Sequence, residues 1–131
     1  MTLQNVLNWL KSVTDTGEGI YTKTINGNQE RCIGIYDARG AVSQRVCLGG
    51  AVNTKYNQKN IRIFVHWTKD AQEAEKKAKE IYHLLYARSN IVMDGVRVYS
   101  LDPGAAPAPI GRDHGGVYEY MIEISLQHER E

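Results

Sequence analysis

The sequence predicts an α+β fold: one mostly antiparallel or mixed sheet with two helices packed on a face. Three observations predict it. From Ile61 to Trp67, the residues Ile61, Ile63, Val65 and Trp67 alternate with Arg62, Phe64 and His66, the period of a half-buried strand. The period then lengthens: Ala71, Ala74, Ala78, Ile81 and Leu85 fall three or four apart or nearly so and line one stripe of a helix, while Glu73, Lys76, Lys77 and Glu80 turn toward water. Near the end of the chain Tyr118, Tyr120, Ile122, Ile124 and Leu126 alternate with Glu119, Met121, Glu123, Ser125 and Gln127, a strand with one core side and one largely wet side.

The elements follow in order. Leu3, Val6, Leu7, Leu10 and Val13 trace a first helical stripe, with Thr2 as its N-cap, Trp9 beside the stripe and Gly17 in the polar segment that ends it. Ile20 to Ile25 is rich in Tyr, Thr and Ile; Asn26-Gly27-Asn28 supplies turn chemistry, and Cys32 to Tyr36 resumes an extended pattern, which reads as a hairpin. Arg39-Gly40 and Leu48-Gly49-Gly50 bracket a short extended segment. Asn53 to Asn60 is polar and is expected to be a mobile loop. The strand from Ile61 then passes into the central helix, where Asp70 stands as N-cap with Glu73 at capping-box spacing and Glu75 is placed to pair with Lys79.

After that helix, Ile91-Val92-Met93 and Val96 to Tyr99 flank Asp94-Gly95, a dipeptide suited to a tight hairpin turn, with a strand expected from Val96 to Leu101. Pro103, Pro107 and Pro109, interleaved with Gly104, Gly111, Gly115 and Gly116, read as a crossover or contact arm outside any regular sheet. There is no internal repeat, and 131 residues make a single domain, 1–131, the expected organisation.

Charge narrows the function classes. Sixteen Lys+Arg against fifteen Asp+Glu leave a net charge of +1, without the basic excess by which a domain grips nucleic acid through charge alone. No apolar run approaches the roughly 20 residues that span a bilayer, and Met1 to Lys11 lack a secretion signal, so a soluble protein made in a cytoplasm and not engaged with membrane is expected. Cys32 and Cys47 are too few for a disulfide framework and read as reduced, structural thiols.

Catalytic chemistry finds little purchase. His66, His83, His114 and His128 are scattered, with no pair spaced to share a metal on one helix face. His66 alternates away from Val65 and Trp67, so it is expected on the sheet surface facing solvent or a partner; Asp113-His114 is the best local approximation to an acid–base pair. The glycines open no helix and form no phosphate cradle, and no cofactor is expected. The eight tyrosines supply contact area of the kind favoured at protein interfaces.

The strand ending in His66-Trp67, the alanine-rich charged helix through Leu85, and the terminal run Gly115-Gly116-Val117-Tyr118-Glu119-Tyr120-Met121-Ile122-Glu123-Ile124 resemble, together, the minor capsid or tail-completion proteins of long-tailed bacteriophages, of the tail-terminator type. The resemblance runs from the N-terminal helix to Leu126. It implies a structural virion protein without enzymatic activity, assembled in the bacterial host cytoplasm and located at the head–tail junction. There it would form a homo-oligomeric ring, commonly a hexamer, on the head-proximal end of the tail tube. The ring would contact the tail tube protein, stop tube growth and join the tail to the head connector or stopper protein, while DNA passes through its lumen without sequence-specific binding. Segments Lys55 to Asn60 and Gly104 to Gly116 are then expected to order against neighbouring rings. Lys55, Lys59, Arg112, Asp113 and His114 are the candidate interaction-loop residues, chosen for expected exposure.

Two other classes make distinct demands. A small enzyme using Cys32 or Cys47 with His66 or His114 needs a concave pocket that brings thiol and imidazole together. A peptide-binding adaptor needs a free sheet edge to which a strand can be added.

Overall fold

The structure, a computed structural model, describes residues 1–22, 30–38, 56–86, 88–112 and 115–129. Its elements are α1 (Leu3–Val13), β1 (Gly19–Tyr21), β2 (Cys32–Asp37), β3 (Tyr56–His66), α2 (Ala71–Leu85), β4 (Ser89–Met93), β5 (Val96–Pro103), β6 (Ala108–Arg112) and β7 (Tyr118–Glu129). The strands join in one mixed sheet of order β1-β2-β3-β7-β5-β4, with β6 also paired to β7. The expected α+β class, with two helices on a sheet face, is what the chain adopts.

β7 organises the sheet. On one side it pairs with β3 along nearly its whole length, from Glu119↔His66 to Glu129↔Tyr56. On the other side β5 and β6 take successive stretches, Pro103↔Ile124 being followed by Ala108↔Met121. β5 and β6 are therefore two parts of one line interrupted by residues 104–107, where Gly104 N–H reaches back to the Glu123 carbonyl. Between Pro109 and Gly111 the register shifts, so Ile110 is an extra residue that a bulge turns outward.

The helices close the inner face. α1 contributes Val6, Leu7 and Leu10, α2 contributes Ala74, Ala78, Ile81 and Leu85, and the sheet meets them with Ile33, Ile35, Ile61, Ile63, Val65, Ile122, Ile124 and Leu126. α1 touches β1 and β2 near one end of the strand order and β4 at the other, so the sheet curls around it. Thr2 caps α1 in a reciprocal capping box with Asn5. Asn5 and Asn8 then donate to Asp94 Oδ2 at 3.1 and 2.7 Å, tying the helix to the β4–β5 turn. That turn carries φ 49° at Asp94 and 81° at Gly95, the left-handed pair that a two-residue hairpin requires.

Several expectations are corrected. β1 pairs with β2 in parallel, Gly19↔Cys32 to Tyr21↔Gly34, so Ile20 to Tyr36 is not a hairpin, and the expected turn at Asn26-Gly27-Asn28 lies outside the described residues. Both strands start from the same end because Gly17, at φ 69°, brings Glu18 N–H onto the Arg31 carbonyl. The polar residues from Tyr56 to Asn60 are strand and not loop. Their backbone is satisfied by β7, and Asn60 Oδ1 accepts from Ser125 Oγ at 2.6 Å, so the ladder needs no apolar side chains there. The proline-rich arm does enter the sheet, as β6, but only as a bulged outer strand. The short segment expected from Arg39 to Gly50 lies outside the described residues.

Two corrections concern α2. Asp70 caps it as expected, accepting from Gln72 and Glu73 N–H, yet the Glu73 carboxylate turns to the Thr68 hydroxyl and Arg31 instead of reaching back to the cap. Ala71 is exposed, whereas Lys77 is buried on the helix's inner side.

Candidate assembly surface

Printed across the sheet is one continuous row: Gly19 beside Cys32, Cys32 beside His66, His66 beside Glu119, and Glu119 beside Gly111. The next row out is held by backbone hydrogen bonds, Glu18 N–H to the Arg31 carbonyl, Arg31 N–H to the Trp67 carbonyl and Trp67 N–H to the Tyr118 carbonyl, and Tyr118 pairs with Arg112. At this level the sheet is five strands wide among the described residues, with β1 and β6 as its margins.

β6 is the more open margin. All five of its residues are exposed, neither helix touches it, and β7 is its one strand neighbour among the described residues. Ile110 leaves 49% of its surface in solvent, as Val92 in β4 leaves 60%. Tyr118 directs its own N–H to Thr68 and its carbonyl to Trp67, away from β6. Arg112, opposite it, must therefore aim its backbone N–H and carbonyl at the open side, as alternation in an antiparallel ladder requires. Its guanidinium lies 5.6 Å from the Tyr118 ring centroid, which holds the side chain near that margin.

Of the candidate interaction residues, Arg112 is thus on the exposed strand. Lys59 lies in β3, its Nζ 2.8 Å from Asp37 Oδ1 and its side chain only 18% exposed, so its expected loop position is corrected. Lys55, Asp113 and His114 lie outside the described residues, as does Cys47. The structure brings Arg112 and Lys59 into no common cluster: one is at the sheet margin, the other on the inner face beside Asp37.

The thiol–imidazole pair has a different outcome. Cys32 and His66 are direct cross-strand neighbours on the outer face. Both are buried, so His66 does not face solvent as expected; its Nδ1 lies 3.1 Å from Glu119 Oε2. Desolvation, followed by the charges of Glu18 and Glu119, pushes the Cys32 thiol up to about 11, so it is protonated at neutral pH. Among the described residues no group of three or more His, Cys, Asp or Glu could hold a metal, and no helix is long and apolar enough to cross a membrane.

A shallow cleft of about 510 Å³ lies where α2 meets the end of β3, lined by Arg31, Trp67, Glu73, Lys76, Lys77 and Glu80. Its floor is Lys77, whose Nζ lies 2.7 Å from Glu80 Oε2, 3.4 Å from Thr14 Oγ1 and 4.9 Å from the Trp67 ring centroid. Lys77 thus joins α2 to the end of α1 and to the sheet. The helical period carried this signal, since residue 77 falls three after Ala74 and four before Ile81. Glu18, Ile110 and Lys77 are the residues that sequence reasoning passed over as contact or organising groups.

No curated protein sequence and no solved structure matches the chain. A family model described as "Bacteriophage tail terminator protein" matches residues 10–130.

Proposed function

We propose that this chain, which belongs to the bacteriophage tail terminator protein family, works as a single domain whose copies close into a ring, a hexamer, on the head-proximal end of the tail tube. A member of this family is a structural component of the virion. The ring stops addition of tail tube subunits and offers its other side to the head connector or stopper protein. DNA passes through the lumen, and the near-neutral chain, with a formal charge of +1, is suited to passage without capture. Assembly takes place in the host cytoplasm, with the segments carrying Lys55, Arg112, Asp113 and His114 meeting adjoining proteins, and with no enzymatic step.

The observation that carries this reading is the exposed β6 margin. A strand whose outer backbone edge has no neighbour among the described residues, and which carries an outward Ile110, stands ready for a neighbour, and a repeated heterologous contact closes a ring when its rotation permits. Size-exclusion chromatography with light scattering, alone and with purified tail tubes, tests it. Discrete ring-sized oligomers and binding at one tube end are expected; a strict monomer at high concentration that ignores tubes is the contrary result.

A further inference from the structure

β1 and β6 are margins of the same five-stranded level of the sheet, and their directions are opposed. β1 is parallel to β2, β2 is antiparallel to β3, β3 to β7, and β7 to β6. Two copies set side by side in one orientation therefore bring β6 of one against β1 of the next as an antiparallel pair, the arrangement of hairpin-like ladders.

Their charges also match. The row that ends in Arg112 at one margin begins with Glu18 at the other. Glu18 and Asp15 are both exposed acids at the β1 margin, while Arg112 is the cation of β6. A neighbouring copy continued in the same row thus sets Arg112 level with Glu18, whose N–H is already given to the Arg31 carbonyl, so these two residues meet through their side chains and not as a hydrogen-bonded ladder pair. Side chains in one row share one face of the sheet, so the alternation of both strands is preserved across the boundary.

We propose that the ring contact is a β6-to-β1 strand addition between copies of this chain, with Ile110–Gly111–Arg112 of one copy beside Glu18–Gly19–Ile20 of the next and an Arg112–Glu18 ion pair fixing the register. The proposal rests on the ring reading above and names the surface by which the ring is made. Pro109 limits the ladder, because it brings no N–H to the margin; this keeps β6 from acting as a template for unlimited pairing. The charge pair selects the partner edge and register more than it adds affinity.

Charge exchange in the full-length chain tests the contact. Arg112→Glu and Glu18→Arg, each alone, place like charges together and are expected to raise the concentration needed for ring formation about tenfold. The double exchange Glu18→Arg with Arg112→Glu is expected to restore it. Arg112→Cys with Glu18→Cys is expected to give an oxidant-dependent ladder of covalent oligomers on a non-reducing gel, which either single cysteine variant lacks. Circular dichroism on each variant separates lost assembly from lost folding. If wild-type rings form, the single reversals leave them unchanged and the paired cysteines give no ladder, the contact is wrong while the ring stands. If the wild-type chain forms no ring on tail tubes, the ring reading fails and this contact with it.

Discussion

Cys32 lies buried in β2, and loss of solvation raises its thiol from an ordinary value of 9.0 to about 11, with Glu18 and Glu119 adding to the rise. The unfolded chain releases this proton near the ordinary value and the folded chain near the raised one. Its contribution to stability is therefore complete below about pH 9 and is lost as pH climbs toward 11. Urea titrations at stepped pH should show Cys32→Ala with a shallower alkaline decline than the wild type, and alkylation of Cys32 at neutral pH should be slow until the protein is unfolded. Lys77 is the residue where packing and charge act together: its side chain is buried, and its ammonium meets the Trp67 ring, Glu80 and Thr14. Lys77→Ala should cost about 1–2 kcal/mol of unfolding free energy, since it removes a shielded cation–π contact and a buried stem. Lys77→Met, which keeps the stem, should cost less, as measured by denaturant midpoint.

Asp94-Gly95 shows how one dipeptide sets an element. Gly95 has φ 81° and open space around its α-carbon, so Gly95→Ala meets only the backbone cost of a left-handed L residue, about 1–2 kcal/mol. Chemical denaturation should register that loss without a change in slope. The Asp94 carboxyl is held below its usual range by the Asn8 and then the Asn5 amide. Both the turn and the α1 cap were legible in the sequence because their chemistry is local. So were β7 and the core half of β3, whose alternation is unbroken from Ile61 to Val65 and from Tyr118 to Leu126. β1 was not legible as a parallel strand, since three residues carry no directional signal. β6 was hidden by Pro109 and Gly111, residues that a regular strand excludes and a bulged margin accepts. His66 occupies the strand parity that alternation gives to the wet side; its burial depends on cross-strand neighbours Cys32 and Glu119, which lie 34 residues before it and 53 after it by their numbers.

For the whole molecule, the α+β class and the family were within reach of the sequence, since they rest on element order and on patterns running through most of the chain. The assembly surface was not. Loop exposure singles out Lys59 and Arg112 equally, but only the strand order puts Lys59 beside Asp37 on the inner face and Arg112 on an open margin level with Glu18. The central claim is that copies of this chain end the tail tube. Electron microscopy of tail tube protein polymerising with and without the chain tests it most directly. Tubes of limited length, each with a ring of extra density at a single end, are the expected result. Tubes that lengthen at the same rate with bare ends, in the presence of folded chain, would contradict the account.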